Sequence, residues 1–216
     1  MSARGPAIDA LLARVREAVR AQAVTVAAVP AHTVVRRVAR DQADLASLFA
    51  AKAQSVGMRV TRVTDAQLDA TLAKLLESRA MTVVAMRDAS LAARANAAAG
   101  ARLAPNNNDD LLFDCEVGIT DVDCAIAESG SLVISTNGRI RNAWVTPPIH
   151  IAVVRAAQVL ADLVDLFELR PDTLDAASTT IITGPSKTAD IEGVLVMGVL
   201  VMGVHGPTEV EIVLVG

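Results

Sequence analysis

Between residues 41 and 86 the chain twice runs an amphipathic helix directly into a short strand. DQADLASLFAAKAQSV stops at Gly57, and MRVTRV follows with the period-two alternation of a strand. Thr64 and Gln67 then make the signature of a capping box ahead of the helix DAQLDATLAKLLESRA, after which MTVVAM is a second strand. Parallel neighbours cannot be joined by a tight turn; they need a crossover of about a dozen residues or more, which a helix supplies. The repeated unit therefore predicts a mostly parallel, Rossmann-like sheet covered on both faces by helices, an α/β fold in three layers. Asp88 or Ser90 can cap the next helix, SLAARANAAA, and Gly100 ends it before the turn-rich APNNNDD.

The pattern changes further on. CAIAESGSLVIST reads as two short strands about a Ser-Gly turn, an antiparallel hairpin added to the parallel sheet. PPIHIAVV reads as a buried strand, AAQVLADLVDLFEL as a helix, STTIIT as a strand and TEVEIVLV as a closing strand. At the other end, Pro6 opens a helix with Ile8, Leu11, Leu12, Val15 and Val19 at helical spacing. Residues 1–22 are thus expected as a helix that docks or projects, and residues 23–216, without a recognisable linker, as a single α/β domain. The pentad GVLVM occurs twice in tandem from Gly193 to Met202. A five-residue period matches neither helix nor strand, so it reads as a local duplication that a loop, bulge or strand end absorbs.

Several function classes fall away. TGPSKT, Thr183–Thr188, has the Lys-Thr ending of a phosphate-binding loop, but Ser186 and Ile181 stand where that loop needs glycines. With a formal charge of -4, three Phe, one Trp and no Tyr, the chain lacks both the basic footprint and the stacking surfaces of a nucleic-acid partner. The longest uncharged apolar run, Gly193 to Val204, has 12 residues, short of the roughly 18–20 that span a bilayer. The N-terminus shows no secretory h-region, so a cytoplasmic protein without a membrane span is expected. Cys115 and Cys124 cannot supply four thiolates and are expected as buried thiols, with no directly bound metal or cluster.

Among titratable residues, His32 has no obvious partners and reads as structural. His150, behind Pro147 and Pro148, and His205, in the turn GVHGP, are the better candidates for catalysis or binding. Glu128 precedes the Ser-Gly turn at a strand end, where a carboxylate can act as nucleophile, base or binding group; a solvated turn residue is the plain alternative. Asp190 and Glu192 suit acidic ligands or a helix N-terminus, and Asp121 and Asp123 flank a strand. STTIIT is expected to deliver TGPSKTADIE to the C-terminal end of a strand, where open α/β sheets keep their crevices. There Thr183 and Ser186 would offer hydroxyls and amides to an anion, Gly184 would shape the loop and Lys187 would add charge.

GITDVDCAIAESGSLVI (118–134), PPIHIAVV (147–154), TGPSKTADIE (183–192) and GVHGP (203–207) together resemble the LUD-domain family, in the same order. The match covers the C-terminal half. The GVLVM duplication doubles the family's usual spacing between DIE and GVHGP. The resemblance implies a fold related to ribose-phosphate isomerases and CoA transferases. It also implies a part in oxidising L-lactate to pyruvate, beside iron-sulfur oxidoreductase subunits that carry the clusters. A cluster-free accessory subunit binding a small carboxylate or acyl ligand follows from it, with Glu128, His150 and His205 as reactive groups and Ser129, Thr183, Gly184, Ser186, Lys187, Asp190 and Glu192 as binding groups. Two other readings stand beside it: a CoA-transferase-like enzyme using Glu128, and a non-catalytic assembly scaffold.

Overall fold

A computed structural model describes residues 6–21, 37–40, 44–104, 112–186 and 206–216. The chain divides into two compact units, Met1–Arg36 and Arg37–Gly216. In the first, helix α1 (Pro6–Ala21) starts on the proline that the sequence places there. Its Ile8, Leu11 and Val15 are exposed.

In the second unit the two helix-to-strand repeats form as expected. Asp44 caps α2 (Leu45–Ser55) by accepting from the Ser47 amide, and Gly57, at φ 95°, turns the chain into β1 (Arg59–Val63). The Gln67 side chain reaches back to the Thr64 amide at 3.0 Å, opening a 3-10 turn that continues as α3 (Leu68–Leu76). β2 (Thr82–Val84) follows, and Asp88 caps α4 (Ala89–Ala99) through the amides of Ser90 and Leu91. Then come β3 (Val117–Asp121), β4 (Cys124–Ile126), β5 (Ser131–Ser135), α5 (Asn142–Val145), β6 (Ile149–Arg155), β7 (Val159–Leu160), α6 (Leu163–Leu169), β8 (Thr179–Ile182) and β9 (Glu209–Val215).

The main sheet has the order β1-β9-β6-β3-β2, and every neighbouring pair is parallel. Its side chains alternate between two cores. On one face Ile119, Ile151, Val153 and Val213 meet Leu68, Leu72 and Leu76 of α3 and Leu91, Ala95 and Ala99 of α4. On the other, Ala152, Val154, Ile212 and Leu214 meet Phe49 of α2, Trp144 of α5 and Leu132 and Ile134 of β5. Each fully buried Leu, Ile or Phe contributes about 1.5–3 kcal/mol relative to exposure, so the two cores fix which face each helix covers. The result is the expected three-layer arrangement. The strand expected to close the chain, β9, lies in the sheet's interior between β1 and β6.

The hairpin forms with Cys124 opposite Val133 and Ile126 opposite Ser131, but it belongs to a second sheet of four strands, β7-β4-β5-β8. Its outer face meets Leu166 of α6. Here the expected helix AAQVLADLVDLFEL is corrected. Its first residues form a 3-10 turn, held by Gln158 between the Arg155 amide and the Val122 carbonyl. Val159 and Leu160 pair with Ala125 and Ile126, and the helix starts after Asp162 caps the Asp165 amide. A non-local strand pairing overrides the helical periodicity of this stretch.

The chain crosses from the main sheet to the second through Asp121-Val122-Asp123. Arg139, with a fully buried side chain, holds both carboxylates: Nε donates to Asp121 at 2.7 Å and Nη1 to Asp123 at 3.0 Å. Asp121 also accepts from the amides of Arg87 and Asp88, and Asp123 from that of Ser135. Arg87 Nη1 lies 3.0 Å from Asp123 Oδ1, a charge contact that lacks hydrogen-bond geometry.

Candidate functional site

The four sequence blocks are tied to one another by hydrogen bonds. In the turn of the β4-β5 hairpin, Gly130 takes φ 71°, and a Cβ there would lie 2.3 Å from the Ala53 amide nitrogen of α2. The turn is thereby pressed against the C-terminal half of that helix, a position that admits glycine. Glu128 is exposed on this turn, with its amide donating to the Ala161 carbonyl at 3.0 Å. Beside it, Ser129 Oγ contacts Ser131 Oγ at 2.7 Å, and Ser131 Oγ contacts Thr183 Oγ1 at 2.7 Å. Gly184, at φ 103°, packs against the Val56 carbonyl. The Ser186 amide donates to Pro207 at 2.9 Å, and the Thr208 and Glu209 amides donate to Pro148. Two residues past Pro148, His150 Nε2 lies 2.9 Å from Thr120 Oγ1, which belongs to the first block.

Pro148 and Thr208 immediately precede β6 and β9, so the cluster lies at the N-terminal edge of the parallel sheet. The TGPS loop does follow the C-terminal end of a strand, β8, as expected, but that strand lies outside the parallel sheet whose crevice it was expected to enter. β8 does deliver Thr183, but it pairs antiparallel with β5 in the second sheet instead of joining the first. The Ser186 amide, expected to face an anion, is taken by the Pro207 carbonyl. Lys187, Asp190, Glu192 and His205, with His32 and the duplicated pentads, lie outside the described residues.

The electrostatics of this edge are nearly self-contained. Arg59 pairs with Glu209 and Glu211, and Arg79 with Glu116 and Glu209. Hydrogen bonds to the two glutamates raise the Arg59 pKa further, so it stays charged. His150 is fully buried on β6, and desolvation pushes its pKa down to about 4. It is therefore neutral near pH 7, and its Nδ1 has no hydrogen-bond partner among the described residues. The Trp144 indole nitrogen is likewise buried without one among the described residues. Sequence reasoning did not anticipate the Ser131 link or the Arg139 pair. Ser131 opens β5 and Ser129 lies on the turn before it, on either side of Gly130 at positive φ, so strand alternation gave no sign of their contact. Arg139 is 16 and 18 residues from its partners, with no local pattern to mark it.

These features define a class: a three-layer α/β protein whose parallel sheet is joined to a second, mostly antiparallel sheet, with a small polar cluster at the N-terminal edge of the parallel sheet. The chain belongs to the LUD domain family, whose model matches residues 46–215. It is 35% identical over 117 residues to a lactate utilization protein C of Exiguobacterium sp., covering 51% of this chain and 49% of the relative. It is 33% identical over 118 residues to a lactate utilization protein C of Geobacillus sp., covering 52% and 47%. The matched stretch thus spans about half the length of these curated relatives. Among solved structures, a DUF162 family protein from Deinococcus radiodurans superposes with a TM-score of 0.63 at 21% identity, covering 80% of this chain and 97% of that one, which supports the fold. Among the described residues no helix is long and apolar enough to cross a membrane.

Proposed function

We propose that this chain is an accessory subunit of a lactate-utilization system and binds a small carboxylate or acyl ligand at the Ser129–Thr183 cluster. The names of its relatives support the lactate context, and iron-sulfur oxidoreductase subunits are its proposed partners. The observation that carries the binding reading is the hydroxyl chain. Ser129, Ser131 and Thr183 hold three hydroxyl protons and use two between themselves. A third can be donated outward, and an anion at one end would orient all three toward itself. Neutral hydroxyls suit an edge whose arginines are already paired, because they bind a carboxylate without adding net charge. Calorimetric titration with L-lactate, pyruvate and acetate tests this. At least one should bind, and Ser131→Ala, which breaks the chain at its centre, should weaken that binding about tenfold, the effect of losing a charge-assisted hydrogen bond of about 1.5 kcal/mol. Equal binding by the variant would overturn the site.

A second reading rests on the exposure of Glu128 on a backbone-pinned turn. Its carboxylate oxygen could attack an acyl-CoA thioester, forming an acyl anhydride and releasing the CoA thiolate. Mass spectrometry after acyl-CoA incubation decides it: an adduct on Glu128 that Glu128→Gln lacks supports transfer, and unmodified protein leaves the binding role.

A further inference from the structure

A separate cleft of about 400 Å³ opens where β1 and β9 end, lined by Asp44, Arg62, Thr64, Gln67, Ala156 and Leu214. Its volume falls in the range of about 300–1,000 Å³ found for small-molecule sites. It also lies beyond the C-terminal ends of adjacent parallel strands, the usual place for ligands in open α/β sheets. The Ser129–Thr183 cluster lies toward the other end of that sheet. β9 runs the whole way between, from Glu209 to Val215, a length of about 20 Å.

The lining has a definite donor pattern. The exposed Arg62 side chain acts on the Asp44 carboxylate through charge alone, with no side-chain hydrogen bond or salt bridge to another described residue, so its guanidinium donors face the cleft. Gln67 is fixed in orientation: its Oε1 accepts from both the amide and the hydroxyl of Thr64, each at 3.0 Å. That leaves its NH₂ group to donate elsewhere. Asp44 is held by the Ser47 amide and hydroxyl, which together keep its carboxyl below its usual pKa, with Arg62 as a lesser influence. A fixed negative charge on the rim disfavours a doubly charged anion. Ala46, Ala156 and the buried Val63 and Leu214 supply an apolar wall.

We propose that this cleft is a second ligand site, for a monocarboxylate with an apolar body, its carboxylate on Arg62 and Gln67 and its hydrocarbon portion against Val63 and Leu214. The proposal is independent of the function assigned to the hydroxyl cluster. Amide NMR titration of the full chain with hexanoate, hexylamine and inorganic phosphate tests it. Hexanoate should bind saturably and shift the amides of Thr64, Gln67 and Gly216, while hexylamine and phosphate leave them in place. Arg62→Gln, at an exposed position, should keep the thermal unfolding of the parent and weaken hexanoate binding about tenfold or more, as loss of a charged partner requires. The proposal is overturned if hexanoate moves none of these amides, if Arg62→Gln binds it equally well, or if phosphate binds as tightly.

Discussion

Two buried polar residues, Arg139 where the chain crosses between the sheets and His150 on β6, make sharp residue-level tests. Arg139 neutralises Asp121 and Asp123 where the chain passes from one sheet to the other, so truncating it strands two carboxylates away from water. Arg139→Met is expected to cost about 3–5 kcal/mol in urea unfolding, the range for breaking a buried pair. Arg87→Ala, at a residue with a 44% exposed side chain, should cost under about 1 kcal/mol. Equal effects would show that Arg139 is not the residue that matters. His150 gives the fold a pH dependence. Its folded pKa of about 4 lies below the ordinary 6.5, so its contribution is intact above pH 6.5 and is lost as pH falls toward 4. Over that window the unfolded chain takes up a proton that the native state refuses, a loss of roughly 3 kcal/mol. In His150→Gln the fall in stability between pH 6.5 and 4 should be correspondingly smaller. At this scale the sequence was partly legible. His150 was singled out by its setting behind two prolines, whereas the Arg139 pairing is set by tertiary contact.

Elements whose ends are fixed by local chemistry were readable in advance. Thr64 with Gln67, Asp88 before α4 and the Ser-Gly turn of the hairpin act within a few residues, and each lies where the pattern puts it. β7 was not readable, because two residues inside an apolar stretch became a strand through pairing with β4 some 34 positions earlier. β8 was read as a strand, but its partner and direction come from β5. The packing of elements also sets a sharp test. A Cβ on Gly118 in β3 would lie 1.8 Å from the Ala143 carbonyl of α5, so that helix contact requires glycine. Gly118→Ala should therefore cost about 1–3 kcal/mol or more through displaced backbone. Gly100→Ala has nothing within 4 Å and meets only the backbone strain of φ 52°, so about 1–3 kcal/mol is expected. Urea denaturation of the pair separates the two mechanisms: a smaller loss at Gly118 than at Gly100 would contradict the close approach.

For the whole molecule, the described core is drawn entirely from the second unit. All three clusters of buried apolar residues come from positions 49 to 215 and bring together both sheets and helices α2 to α6. A chain beginning at Arg37 is expected to unfold in one cooperative transition with a melting temperature close to that of the full chain; a broad, non-cooperative melt would show that the first 36 residues complete the core. The alternation of helix and strand sufficed to read the parallel sheet in three layers, because crossover length leaves few alternatives. It could not show that the four sequence blocks come together at the sheet's N-terminal edge, since that depends on where β8 and the hairpin pair. The central claim is that those blocks form one carboxylate site there. Amide NMR of the full chain titrated with pyruvate tests it most directly. The account predicts saturable shifts at Ser129, Ser131 and Thr183 with Arg62 and Gln67 unmoved; no shift at the three hydroxyl residues, or shifts confined to the Arg62 cleft, would contradict it.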